Sequence, residues 1–174
     1  VNTPIDNSNL GVGLSFVNDR IGPIVENAIS ADVSYTVQTS NAYKLSFGVK
    51  ATANIFNLDV SRLNPEQAGD TQFQNINKFS PNIGAGVYYH SDKSYIGLSV
   101  PNFIQTNRYD DNEVAIFKER INYYLIAGHV FDLNSDIKFK PAFLTKLVFG
   151  APLQVDVSAN FMFYEKFVLG AAYR

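Results

Sequence analysis

Apolar residues take every second position from Leu153 to Phe163, through Val155, Val157, Ala159 and Phe161. Between them lie Gln154, Asp156, Ser158, Asn160 and Met162. Successive side chains of a strand leave opposite faces, so this run reads as a strand with one apolar and one mostly polar face. A Glu165-Lys166 reversal follows, and the alternation resumes with Phe167, Leu169, Ala171 and Tyr173. The first run, about eleven residues, has the length a tilted strand needs to cross a bilayer.

The same unit recurs upstream. A first strand is predicted near Asn9 to Val17, and a second from Ala28 to Val37, where Ile29, Ala31, Val33, Tyr35 and Val37 alternate with Ser30, Asp32, Ser34 and Thr36. A third sets Leu45, Phe47, Val49, Ala51, Ala53 and Ile55 against Ser46, Gly48, Lys50, Thr52 and Asn54. Ile83 to Tyr89 and Ile96 to Val100 flank an Asp92-Lys93 turn. In the sixth strand, Ile121 to Phe131, the run Tyr123-Tyr124-Leu125-Ile126 offers apolar residues to both faces. The seventh places Ile137, Phe139, Phe143, Leu147 and Phe149 on one side and Lys138, Lys140 and Lys146 on the other.

The connections alternate in length. Gln38 to Ala42, Asp92-Lys93, Asp132 to Asp136 and Glu165-Lys166 are short. Asn18 to Glu26 and Gly150 to Pro152 are medium, and Asp59 to Ser80 and Asn102 to Arg120 are long. Short turns at one end and longer loops at the other are the habit of bacterial outer-membrane barrels. Tyr43, Tyr89, Tyr95, Phe131, Phe139, Phe163 and Phe167 bracket the short turns, as an interfacial aromatic girdle would. The expectation is an all-β, antiparallel up-and-down transmembrane β-barrel. Single-chain bacterial barrels have even strand numbers, and about nine strands are legible here. Residues 1–174 are therefore expected to be a single barrel domain truncated at both ends, and neither an initiator Met nor a signal-peptide pattern stands at Val1.

Composition changes this picture little. The chain has 174 residues, a formal net charge of −2 and no cysteine, which excludes disulfides and thiolate metal sites. A near-neutral balance argues against a nucleic-acid partner. Mean hydropathy is −0.06, and no apolar run is long enough for a membrane-spanning helix, but a barrel hides its apolar residues by alternation.

Candidate chemistry is sparse. His90 and His129 fall on different hairpins without metal spacing. Gly11-Val12-Gly13 and Gly84-Ala85-Gly86 lie inside strands rather than before a helix, so easing of inward packing is the better account than phosphate binding. Asp110-Asp111-Asn112-Glu113 lacks the spaced ligands of a calcium loop and reads as a solvated loop face. No enzyme and no cofactor is expected. Two hairpins bring acid against base on the polar face: a reversal centred on Asn41 sets Asp32 opposite Lys50, and one centred near Ala151 sets Lys146 opposite Asp156. Opposed residues lie about 4.5–5.5 Å apart at Cβ, so these four are candidate lumen charge pairs that fix register.

The stretches GVGLSFVNDRIGP, YYHSDKSYIGLSVPNF, FDLNSDIKFKPAFL and GAPLQVDVSANFMFYEKFVLGAAYR resemble the PorP/SprF outer-membrane proteins of the type IX secretion system. The similarity runs from about Asn9 to Arg174. It implies a non-enzymatic barrel in the outer membrane of a Gram-negative bacterium, part of a longer chain. Its implied work is to help the secretion and gliding machinery export adhesins and hold them at the cell surface. The partners it implies are the lipid bilayer, a secreted surface adhesin and periplasmic secretion or motor components. The alternative is an outer-membrane porin or small-molecule transporter, which requires an open aqueous path.

Overall fold

The computed structural model describes residues 1–59, 75–104 and 120–174. Among the described residues eleven strands form one sheet: β1 (Asn2–Pro4), β2 (Leu10–Ile21), β3 (Ile24–Gln38), β4 (Lys44–Leu58), β5 (Ile76–His90), β6 (Ser94–Val100), β7 (Asn122–His129), β8 (Phe131–Asp132), β9 (Ile137–Val148), β10 (Gln154–Phe163) and β11 (Phe167–Tyr173). They pair in chain order, all antiparallel, except that the short β8 pairs only with β9 beside the β7–β9 junction. β1 and β11 end the path and do not pair with each other. With the short β1 and β8 set aside, the long strands are the nine that alternation predicts.

Two predicted connections differ from expectation. Asn18 to Glu26 is not a loop: β2 and β3 stay paired from Asn18↔Asn27 to Ile21↔Ile24, and the chain reverses at Gly22-Pro23. Gly22 has φ 58°, which glycine adopts without a Cβ penalty. β5 begins at Ile76, so the predicted Asp59 to Ser80 loop gives up its last residues to a strand that runs through Pro81. Residues 60–74 and 105–119, which hold the rest of the two long connections and the acidic Asp110 to Glu113 run, lie outside the described residues.

The ladder resolves the two-faced sixth strand. Leu125↔Leu98 and Ala127↔Ile96 put Leu125 and Ala127 with the apolar set, so Tyr124 and Ile126 turn to the polar face. Gly97, which has no side chain, lies opposite Ile126 and makes room for it: a Cβ there would come within 3.1 Å of Ile126 Cγ1. Tyr95, expected in the outer girdle, also turns inward, opposite His90 on one side and Gly128 on the other. Its ring lies against Gly128, where a Cβ would stand 2.7 Å from Tyr95 Cζ.

Candidate functional site

The apolar face is the exposed one. Leu14, Phe79 and Val33 are 65%, 64% and 47% exposed, whereas the buried polar residues Ser30 and Asn82 are 3% and 2% exposed. A water-soluble sandwich would show the reverse. Among the described residues each strand packs only on its ladder neighbours, so no second layer covers the apolar side. Apolar outside and polar inside is the arrangement of a barrel wall in lipid.

Aromatic rings mark the limits of the lipid-facing band. At the short-turn rim Tyr43 stacks on Tyr89 at 5.0 Å, and a file of rings runs from Phe131 to Phe139 (6.4 Å), Phe161 (4.6 Å) and Phe163 (6.5 Å). At the other rim Phe79 sits on β5, and Phe149 meets Tyr123 edge-on at 5.9 Å. Phe79 and Tyr89 are ten residues apart, as are Phe139 and Phe149.

Ten residues at the tilt usual for outer-membrane strands, about 40°, rise about 25 Å, the height of the apolar band of an outer-membrane barrel.

The polar face carries its own network. Ser30 and Thr52 share a hydrogen bond of 3.0 Å, and Thr36 and Ser46 one of 2.8 Å. Further round, Lys140 Nζ lies 5.3 Å from the centre of the Tyr95 ring and Lys146 Nζ 5.8 Å from that of Tyr124, within cation–π range. Tyr88 packs beside them, 5.1 Å from His90 and 6.0 Å from Tyr95.

The chain leaving β6 leans over this face. Pro101 passes above Gly84 so closely that any Cβ there would strike the Pro101 carbonyl, and Phe103 donates its N–H to Ile83 O at 2.8 Å. The Asn82 amide donates to Ile104 O (2.9 Å) and accepts from Ile104 N–H (3.1 Å), so a side chain takes the place of a ladder strand. Alternation could not reveal this segment, because its only sequence signal is a proline after the strand.

Of the residues singled out for charge pairing, Asp32 and Lys50 stand in register across β3 and β4. Lys146 and Asp156 do not. Lys146 faces Gln154 and Asp156 faces Leu144, because the β9–β10 reversal centres on Gly150 (φ 79°) rather than Ala151, and Pro152 has no N–H to extend the ladder. Asp156 instead pairs with Arg174 at 2.6 Å. This partner was missed because Arg174 lies on the far side of β10, one hairpin further on.

The family model described as type IX secretion system membrane protein PorP/SprF matches residues 1–174. The chain belongs to the PorP/SprF family. No curated protein matches it. The exposed apolar belt thus belongs to a type IX secretion membrane component.

Charged pairs tie neighbouring turns together at the short-turn rim of this PorP/SprF barrel. Lys93 of the β5–β6 turn pairs with Asp132 of β8, and Lys138 with Glu165 of the β10–β11 turn at 2.7 Å. The hydrogen bond from Lys93, with its charge, holds the Asp132 carboxyl below its ordinary range, and Lys138 does the same for Glu165. The two histidines part company: His90 is on the inner face against Tyr88, while His129 shares a 2.6 Å hydrogen bond with Ser94 and packs on Phe131 at 4.3 Å.

Proposed function

We propose that this chain forms the wall of a non-catalytic barrel in the outer membrane of a Gram-negative bacterium. There it assists the type IX secretion and gliding machinery in exporting adhesin-like proteins and keeping them on the cell surface. Family membership over residues 1–174 carries the reading. The inverted burial of the sheet supports it, since a polar inner wall and a lipid-facing belt are what a membrane-spanning scaffold needs. In this reading the long connections face the cell exterior, where binding functions gather on a rigid frame. The short-turn rim, laced by Lys93–Asp132 and Lys138–Glu165, faces periplasmic secretion or motor components.

The rival reading, a diffusion porin, needs an open aqueous path. Pro101 to Ile104 lean over the inner wall at Gly84 and Asn82 and narrow that path, which favours the scaffold. Deleting the gene and probing intact cells with antibody against the adhesins they display tests the proposal. Loss of one adhesin from the surface, with its accumulation inside, is expected. Unchanged display of all surface adhesins, together with impaired uptake of small solutes, would favour the porin.

A further inference from the structure

We infer that the inner wall of β9 and its tyrosine neighbours is a docking surface for an extended, acidic polypeptide segment. The inference rests on the reading of the polar face as the inside of a secretion barrel. β9 turns Lys138, Lys140 and Lys146 to that face. Lys138 is neutralised by Glu165. Lys140 and Lys146 have no carboxylate in ion-pair reach among the described residues, and their ladder partners on β10, Asn160 and Gln154, are neutral. Asp156, the acid nearest in register, is taken by Arg174.

Each of these two lysines rests instead on a tyrosine ring. A cation over an aromatic face keeps its charge and spends no donor on a carboxylate, so its N–H groups remain available to an incoming anion.

Spacing identifies the kind of anion. Lys140 and Lys146 are six residues apart on one face of one strand, about 20 Å at the rise of a β-strand. An extended polypeptide lying along β9 has the same rise and the same period of two. Carboxylates at positions i and i+6 of such a segment therefore meet both lysines, while those at i and i+5 leave opposite faces.

The test uses the full-length protein folded in detergent and dye-labelled Gly/Ser peptides followed by fluorescence anisotropy at low salt. A peptide with Glu at i and i+6 is expected to bind at least tenfold more tightly than its Gln counterpart and more tightly than the i, i+5 version. The double variant Lys140→Gln/Lys146→Gln should abolish the preference, and Lys166→Gln, in an exposed turn, should leave it intact. Equal binding of the Glu and Gln peptides overturns the inference, as does full binding by a double variant shown to be folded by heat-modifiable gel mobility. Binding of a sulfated polysaccharide with no binding of the acidic peptide also overturns it. If the double variant does not fold, the wild-type peptide series decides alone. Adhesin display on cells tests the underlying secretion reading separately, since failure of one assay leaves the other's result standing.

Discussion

The side-chain amide of Asn82 grips the backbone of Ile104 from both sides, donating at 2.9 Å and accepting at 3.1 Å, while itself only 2% exposed. Its partner belongs to the segment that leaves β6 and leans over the inner wall. Truncation removes both bonds to the Ile104 backbone, a loss of about 0.5–1.5 kcal/mol for each. Asn82→Ala should lower the urea midpoint of the folded barrel accordingly and raise conductance in planar bilayers as the segment loosens. Unchanged stability and conductance would show that the grip holds nothing in place.

Gly84 and Gly48 make a paired test of the same crossing. Both face the inner side of the sheet, but only Gly84 has backbone directly above it, that of Pro101, whereas the nearest atom to a Cβ at Gly48 is Val33 O at 3.9 Å. Gly84→Ala must shift main chain and is expected to destabilise by about 1–3 kcal/mol, in the range of overpacking. Gly48→Ala should stay within about 0.5 kcal/mol of the wild type. Equal effects in urea titrations would mean that Pro101 does not pass over Gly84.

Adjacent residues on β10 separate the two faces. Val157 is opposite Phe143 in the exposed apolar set, and Ser158 is opposite Ala142 in the polar set. Val157 also falls near the middle of the band. Val157→Arg should cost about 2–4 kcal/mol of folding free energy in lipid vesicles and reduce insertion. Ser158→Arg, which points into the polar interior, should be milder. The comparison is read from folding yields into vesicles, and a milder Val157→Arg contradicts the face assignment.

The rim pairs set a pH window. Asp132 and Glu165 both have folded carboxyl groups held below their ordinary range by a lysine, so their contribution is fully present above the unfolded carboxylate range, about pH 4, and fades as pH falls through the lowered folded values. Asp132→Asn and Glu165→Gln should therefore narrow the stability gap between pH 6 and pH 3 without changing the profile between pH 6 and pH 8. Both pairs are exposed, so the effect is small and salt-sensitive. A variant whose stability profile differs from wild type only above pH 6 would contradict the assignment.

Alternation made most of the sheet legible because, in lipid, the same period governs solvent and ladder alike. Val33, Val49, Ala85 and Val100 are separated widely in sequence, yet each falls on the apolar face in one continuous register row. It failed where polarity and pairing diverge. Asn18 and Asn27 point to the outer face but are amides, joined by a 2.7 Å hydrogen bond, so the strand reads as loop although its ladder continues. Pro81 similarly hid the start of β5, because an N–H-free residue in a paired strand is a rare choice. Tyr95 and Ile126 face inward against glycines, a preference set by the neighbouring strand and invisible in their own. The lysine–tyrosine wall was half legible. Lys138, Lys140 and Lys146 share a face by spacing alone, but their ring partners are set by the register of β6 and β7.

The central claim is that the odd-numbered residues of β10 face lipid and the even-numbered ones an aqueous interior. Residues 1–174 hold no cysteine, so single-cysteine substitutions from Leu153 to Phe163, made with any cysteine elsewhere in the full-length protein replaced, give a clean set of spin labels in bilayers. Collision with oxygen, which concentrates in lipid, and with a water-soluble nickel chelate should alternate out of phase: oxygen high at Val155, Val157, Ala159 and Phe161, nickel high at Gln154, Asp156, Ser158 and Asn160. Oxygen accessibility that peaks at the even positions, or odd positions shielded from both reagents as in a packed soluble core, would contradict the account.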